Sequence, residues 1–131
     1  MPLGLRHLAR SPGGQLSLRP SPNPGQAVVQ YILVVQWPGA SESDYQALIA
    51  MEDLLEGALP GGHGVVDGHD FGAGEMNIFI ETDRPVEAFA DVKVALARNP
   101  RWPDARAAYR RADGDDFVVL WPEGLERFAV Q

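Results

Sequence analysis

A chain of 131 residues is long enough to bury a core without covalent help, and 45% hydrophobic against 22% charged residues is a globular balance. There is no cysteine, which excludes disulfides, thiolate catalysis and a cysteine-built zinc site. The formal charge is −7; residues 1–25 hold Arg6, Arg10 and Arg19 without an acid, so the remainder carries 8 basic against 18 acidic groups, repels phosphate backbones and is not expected to bind nucleic acid.

Residues 1–26 alternate Pro, Gly, Ser and Arg with isolated leucines and follow neither helical nor strand periodicity. They are expected to be a disordered or loosely packed leader, dispensable or the product of a misassigned start, because they offer too little apolar surface to offset the entropy of ordering. A single domain is expected over residues 27–131. Its longest apolar run, Ala27–Val35, falls far short of the roughly 20 residues that cross a bilayer, so no membrane partner is expected and the product is read as soluble and cytoplasmic.

Ala27–Trp37 is β-branched and apolar at nearly every position, as a central strand covered on both faces would be. Pro38-Gly39 ends it. Ser41 or Ser43 then caps a helix, with Asp44 in capping-box spacing from Ser41 and an apolar stripe of Tyr45, Leu48, Ile49, Met51, Leu55, Ala58 and Leu59. Pro60-Gly61-Gly62 terminates that helix. Gly64–Phe71 reads as a strand that Gly64 and Gly68 must bend or bulge, and Gly72-Ala73-Gly74 supplies a tight reversal. In Glu75–Glu81, Met76, Ile78 and Ile80 share the core face, while Glu75, Asn77, Phe79 and Glu81 share the other.

A second helix opens at Thr82-Asp83-Arg84-Pro85 and runs toward Asn99-Pro100, with Val86, Phe89, Val92 and Leu96 as its apolar stripe. Trp102 lies in a proline-bracketed loop. Ala105–Ala112 and Phe117–Trp121 are two strands around an Asp113-Gly114 turn, and Leu125–Val130 either adds a short strand or packs across the helices. In order these elements make an α+β, ferredoxin-like β-α-β-β-α-β plan with an extra C-terminal strand: an antiparallel sheet with both helices on one face. The opposite face, bearing Phe79 and with it Tyr31 and Tyr109, is then expected to stand open and to be covered by another molecule.

The segment Asp67-Gly68-His69-Asp70, followed by Gly72-x-Gly74-Glu75-Met76-Asn77-Ile78-Phe79-Ile80 and later by Val119-Leu120-Trp121-Pro122, resembles a family of small uncharacterised bacterial proteins. The likeness spans Val28 to Val130. It implies one intact domain, a bacterial origin and a soluble product, and it carries over no activity.

Polar groups concentrate around the central hairpin. Asp67, His69, Asp70 and Glu75 are the residue types that bind metals or move protons, but strand alternation puts Asp67 and His69 on one face and Asp70 on the other unless a bulge at Gly68 intervenes. Asn77, in mid-strand, calls for a hydrogen-bond partner on the adjacent strand. His63 reads as a solvated loop residue, and Asp113, Asp115 and Asp116 lack the calcium-loop pattern. Trp37 and Trp121, each before a proline, read as core or rim packing. No phosphate loop, nucleophile elbow or dinucleotide fingerprint occurs, so neither a catalytic residue, a metal nor a cofactor is expected. The leading expectation is a non-catalytic interaction or small-ligand-binding module that self-associates, or receives a protein partner, through the open sheet face at Asp67, His69, Asp70, Glu75, Asn77 and Phe79. The alternative is a small enzyme with an acid/base or metal site on the Asp67–Glu75 hairpin. An acidic partner-blocking protein is a third, weaker reading resting on charge alone.

Overall fold

The computed structural model describes residues 29–59 and 62–131; the expected leader, the start of the first strand at Ala27 and the Pro60-Gly61 break lie outside them. The elements in order are β1 (Tyr31–Pro38), α1 (Glu42–Ala58), β2 (Val65–Gly72), β3 (Glu75–Thr82), α2 (Pro85–Leu96), a 3₁₀ turn (Trp102–Asp104), β4 (Arg106–Arg111) and β5 (Val118–Trp121). The strands form one five-stranded sheet in the order β2-β3-β1-β4-β5, and every neighbouring pair is antiparallel. The protein is thus α+β, with two helices and β1 in the middle of the sheet.

α1 starts where its local chemistry dictates. The Asp44 backbone N–H donates to Ser41 Oγ at 3.0 Å and the Ser41 N–H donates back to Asp44 Oδ2 at 3.0 Å, a reciprocal capping box that occupies two otherwise orphan donors. Arg101 Nη1 donates to Asp44 Oδ1 at 2.6 Å, tying this cap to the loop after α2. These bonds, from the Ser41 and Ala40 amides first and then from Arg101, hold the Asp44 carboxyl well below the usual carboxylate range. The β2–β3 reversal is a two-residue turn, Ala73-Gly74, between the paired Gly72 and Glu75. Both turn residues have positive φ, +56° and +82°, the requirement of the tight hairpin turns that match strand twist.

One sheet face packs on both helices. Leu33, Val35 and Trp37 of β1 and Met76, Ile78 and Ile80 of β3 join Leu48, Met51 and Leu55 of α1 and Phe89, Val92 and Leu96 of α2 in a continuous buried core. Each such side chain contributes about 1.5–3 kcal/mol by leaving water. Period-two alternation along β3 is as the sequence indicates. Several expectations are corrected. β1 begins at Tyr31, since Val29 and Gln30 are not extended into the sheet. α2 ends at Leu96, where the Asn99 N–H turns back to the Leu96 carbonyl at 2.9 Å. Val86 is 58% exposed and Ala58 is exposed, so neither belongs to its helix's core stripe. Tyr31 and Tyr109 stand on the helix-covered side. Tyr109 is opposite Leu33 in the register and packs against the core, with the Tyr31 ring edge-on to it at 5.4 Å. The parity of β1, invisible in a strand apolar throughout, decides this.

The larger correction concerns the second sheet face. Val34, Gln36, Asn77, Phe79 and Ala108, which the register aligns across β4, β1 and β3, are all buried, none more than 3% exposed. The expected open face is not open. At its Gln36–Glu75 end the segment after β5 returns across it: Gln36 Nε2 donates to the Ala129 carbonyl at 2.9 Å, and the Gln131 N–H donates to Glu75 Oε2 at 2.8 Å. Leu125–Val130 therefore neither extends the sheet nor crosses the helices.

Candidate functional site

The structure divides the hairpin residues between two faces. A bulge between Val66 and Gly68, with Gly68 at φ +152°, absorbs Asp67, and beyond it His69 pairs with Ile78 on the helix side, while Asp70 pairs with Asn77 on the other. His69 Nδ1 lies 2.9 Å from Glu52 Oε1 of α1, and the Tyr45 ring contacts both His69 and Phe71 edge-on, at 6.0 and 5.3 Å. The bond to Glu52 raises the His69 pKa, against partial burial that opposes it. His63 is not merely solvated, because its Nδ1 lies 2.9 Å from Asp91 Oδ2 of α2. Two imidazole–carboxylate pairs thus join the hairpin region to the two helices. Among the described residues no three His, Asp or Glu side chains converge to hold a metal ion.

Glu75 and Asn77 are brought together, with a residue the sequence does not single out. Gln36 sits directly across from Asn77 in the β1–β3 register. Its Nε2 donates to Asn77 Oδ1 at 2.9 Å and more weakly to Glu75 Oε2 at 3.3 Å, besides the bond to Ala129. Asn77 Nδ2 donates to Glu75 Oε2 at 3.2 Å. Three acceptors around one amide nitrogen fix which end of Gln36 is nitrogen and which is oxygen. The only signal for Gln36 in the sequence is a polar residue between Val35 and Trp37.

Above this network opens a cleft of about 600 Å³, lined by residues 115–117, residues 126–129 and Gln131. Gln36 and Glu75 form its base. The rings of Phe117 and Phe128, both half-buried, meet at 5.0 Å between centroids and give it an aromatic wall. Charged groups line the rim, Asp115, Asp116 and Glu126 with Arg106 and Arg127, all exposed. Phe79 is buried in the same sheet face, two residues along β3 from Asn77 and opposite Val34.

A second aromatic group lies on the helix side of the sheet. Trp102 and Trp121 stack at 6.2 Å, Phe89 leans on both, and Lys93 Nζ lies 4.7 Å from the Trp121 ring centre. Trp37 is fully buried and its Nε1 donates to the Arg101 carbonyl at 3.1 Å, so it does not share that rim. Lys93 already occupies the exposed side of the cluster, a closed cation–π arrangement.

No protein-family model matches the chain, and no curated protein or solved structure does either. No helix among the described residues is long and apolar enough to cross a membrane.

Proposed function

We propose that the protein is a non-catalytic small-ligand-binding module, built on a ferredoxin-like plan with a fifth edge strand, whose binding site is the cleft between the sheet and its C-terminal segment. The β-α-β-β-α-β order and the β2-β3-β1-β4 run within the sheet support the plan. The observation that carries the binding reading is the cleft's base: a buried amide, 1% exposed, and a carboxylate, together at the foot of an aromatic wall. The lining is mainly polar and charged with two aromatic rings, and converging polar groups are what fix a small molecule's orientation in its site. An acid/base enzyme on the hairpin is disfavoured by geometry, because His69 faces α1 while Glu75 and Asn77 face the cleft, and proton transfer needs hydrogen-bond reach. Self-association through the sheet face is disfavoured likewise, because that face is buried within one chain.

A fragment screen followed by amide chemical shifts of the full chain tests the reading. Hits are expected to cluster on Gln36, Phe117 and Phe128. Hits gathering instead on the Trp102–Trp121 cluster, or a dimer in sedimentation whose contact buries residues 126–131, would overturn it.

A further inference from the structure

We infer that the ligand of this cleft is a small organic cation, an alkyl ammonium group seated on Gln36 and Glu75; this rests on the cleft being the binding site. The hydrogen-bond inventory at the base is one-sided. The N–H groups of the buried network are committed, Gln36 Nε2 to Asn77, Ala129 and Glu75 and the Gln131 N–H to Glu75, while the Arg106 guanidinium, across from Gln36 in the β1–β4 register, is exposed. The oxygens are not committed. Gln36 Oε1 accepts no hydrogen bond from the described residues although its side chain is almost completely buried, and all three donors reaching Glu75 fall on Oε2, leaving Oε1 over. A buried acceptor without a donor is costly, and a ligand rich in N–H groups removes that cost.

Three features select a charged donor over a neutral one. Glu75 is a carboxylate, and hydrogen bonds to ionised acceptors are roughly twice as strong as neutral ones. The Phe117 and Phe128 rings, in contact at 5.0 Å, line the same cleft, and ring faces attract cations. Around the cleft four carboxylates, Glu75, Asp115, Asp116 and Glu126, outnumber two guanidinium groups, Arg106 and Arg127, within a chain of net charge −7. An alkyl ammonium ion fits all three: two of its N–H donors meet the two free oxygens, and its carbon chain lies along the phenyl wall.

The test uses three probes of one shape, butylammonium, butyrate and butanol, titrated into the full chain and followed by the Gln36 side-chain amide and the Phe117 and Phe128 backbone amides. Butylammonium is expected to give saturable shifts at all three residues, about tenfold tighter than butanol and with no butyrate binding there. Glu75→Gln, which keeps an oxygen for the Asn77 and Gln131 donors but presents an amide to the cleft, is expected to weaken butylammonium about tenfold. Asp115→Asn with Asp116→Asn, on the exposed rim, provides a second variant that leaves the base untouched and is expected to weaken binding severalfold and to flatten its dependence on salt. Butyrate or butanol binding tightest at the same residues would overturn the cation while leaving the cleft as the site. Shifts from none of the three probes would overturn both.

Discussion

Gln36 Nε2 lies 2.9 Å from Asn77 Oδ1 across the β1–β3 pair, and this bond lets two amides stand in a buried row with Val34, Phe79 and Ala108. Removing one partner strands the other. Asn77→Ala is expected to destabilise the fold by about 1–3 kcal/mol, while Gln36→Leu with Asn77→Leu costs less than the sum of the two single changes. Denaturant unfolding of the parent, Asn77→Ala, the two leucine singles and their double checks this, and additive single effects would show that the pair is not coupled.

The α1 cap makes a prediction in acid. The folded carboxyl of Asp44 is depressed below its ordinary value of 3.8, so its contribution is present above that pH and is lost as the pH falls through the folded value. Thermal unfolding between pH 5 and pH 2 is therefore expected to fall less steeply in Asp44→Asn than in the parent. Ser41→Ala, which removes only the hydroxyl acceptor, is expected to cost about 0.5–2 kcal/mol.

His69 carries the opposite sign. Its folded pKa lies above the ordinary 6.5 because of the bond to Glu52, so the pairing stabilises fully below that pH and fades as the pH rises through the raised value. A histidine titration followed by NMR is expected to place the His69 midpoint above 6.5, and Glu52→Gln is expected to bring it down. Unfolding midpoints recorded from pH 6 upward should decline in the parent and lose that decline in Glu52→Gln.

Core and surface positions of the two helices separate cleanly. Leu55, wholly buried between α1 and the sheet, is expected to cost about 2–5 kcal/mol on truncation to alanine. Val86, although it falls on an apolar repeat, is 58% exposed, and Val86→Ala is expected to stay within about 0.5 kcal/mol of the parent in a chemical melt.

Elements whose determinants are local were legible in the residues themselves. The Ser41–Asp44 box, the Ala73-Gly74 reversal and the alternation of Met76, Ile78 and Ile80 each need only a few adjacent positions, and each is found where it was expected. What depended on register was not legible. β1 is apolar on both sides, so nothing in it says whether Tyr31 or Ile32 faces the helices; that follows from pairing Leu33 with Ile80 and with Tyr109. The site was half visible: Glu75 and Asn77 announce themselves as polar groups in a strand, whereas Gln36 acquires meaning only opposite Asn77. Residues 125–131 have no period to read, because their position is set by acceptors and donors on strands far away in the chain, Gln36 and Glu75.

That distance orders events during biosynthesis. Gln36 and Ala129 are 93 residues apart, so when a ribosome has delivered the strands that form the middle of the sheet, the segment that caps the Gln36–Glu75 end of their second face has yet to be made. Until it arrives, Gln36 and Glu75 lack the partners that Ala129 and Gln131 supply, and that end of the sheet stays unfinished, as incomplete intermediates of nascent chains do. Docking of the late segment is then the step that turns a half-finished sheet into the native protein, and contacts this remote in sequence make it a slow one.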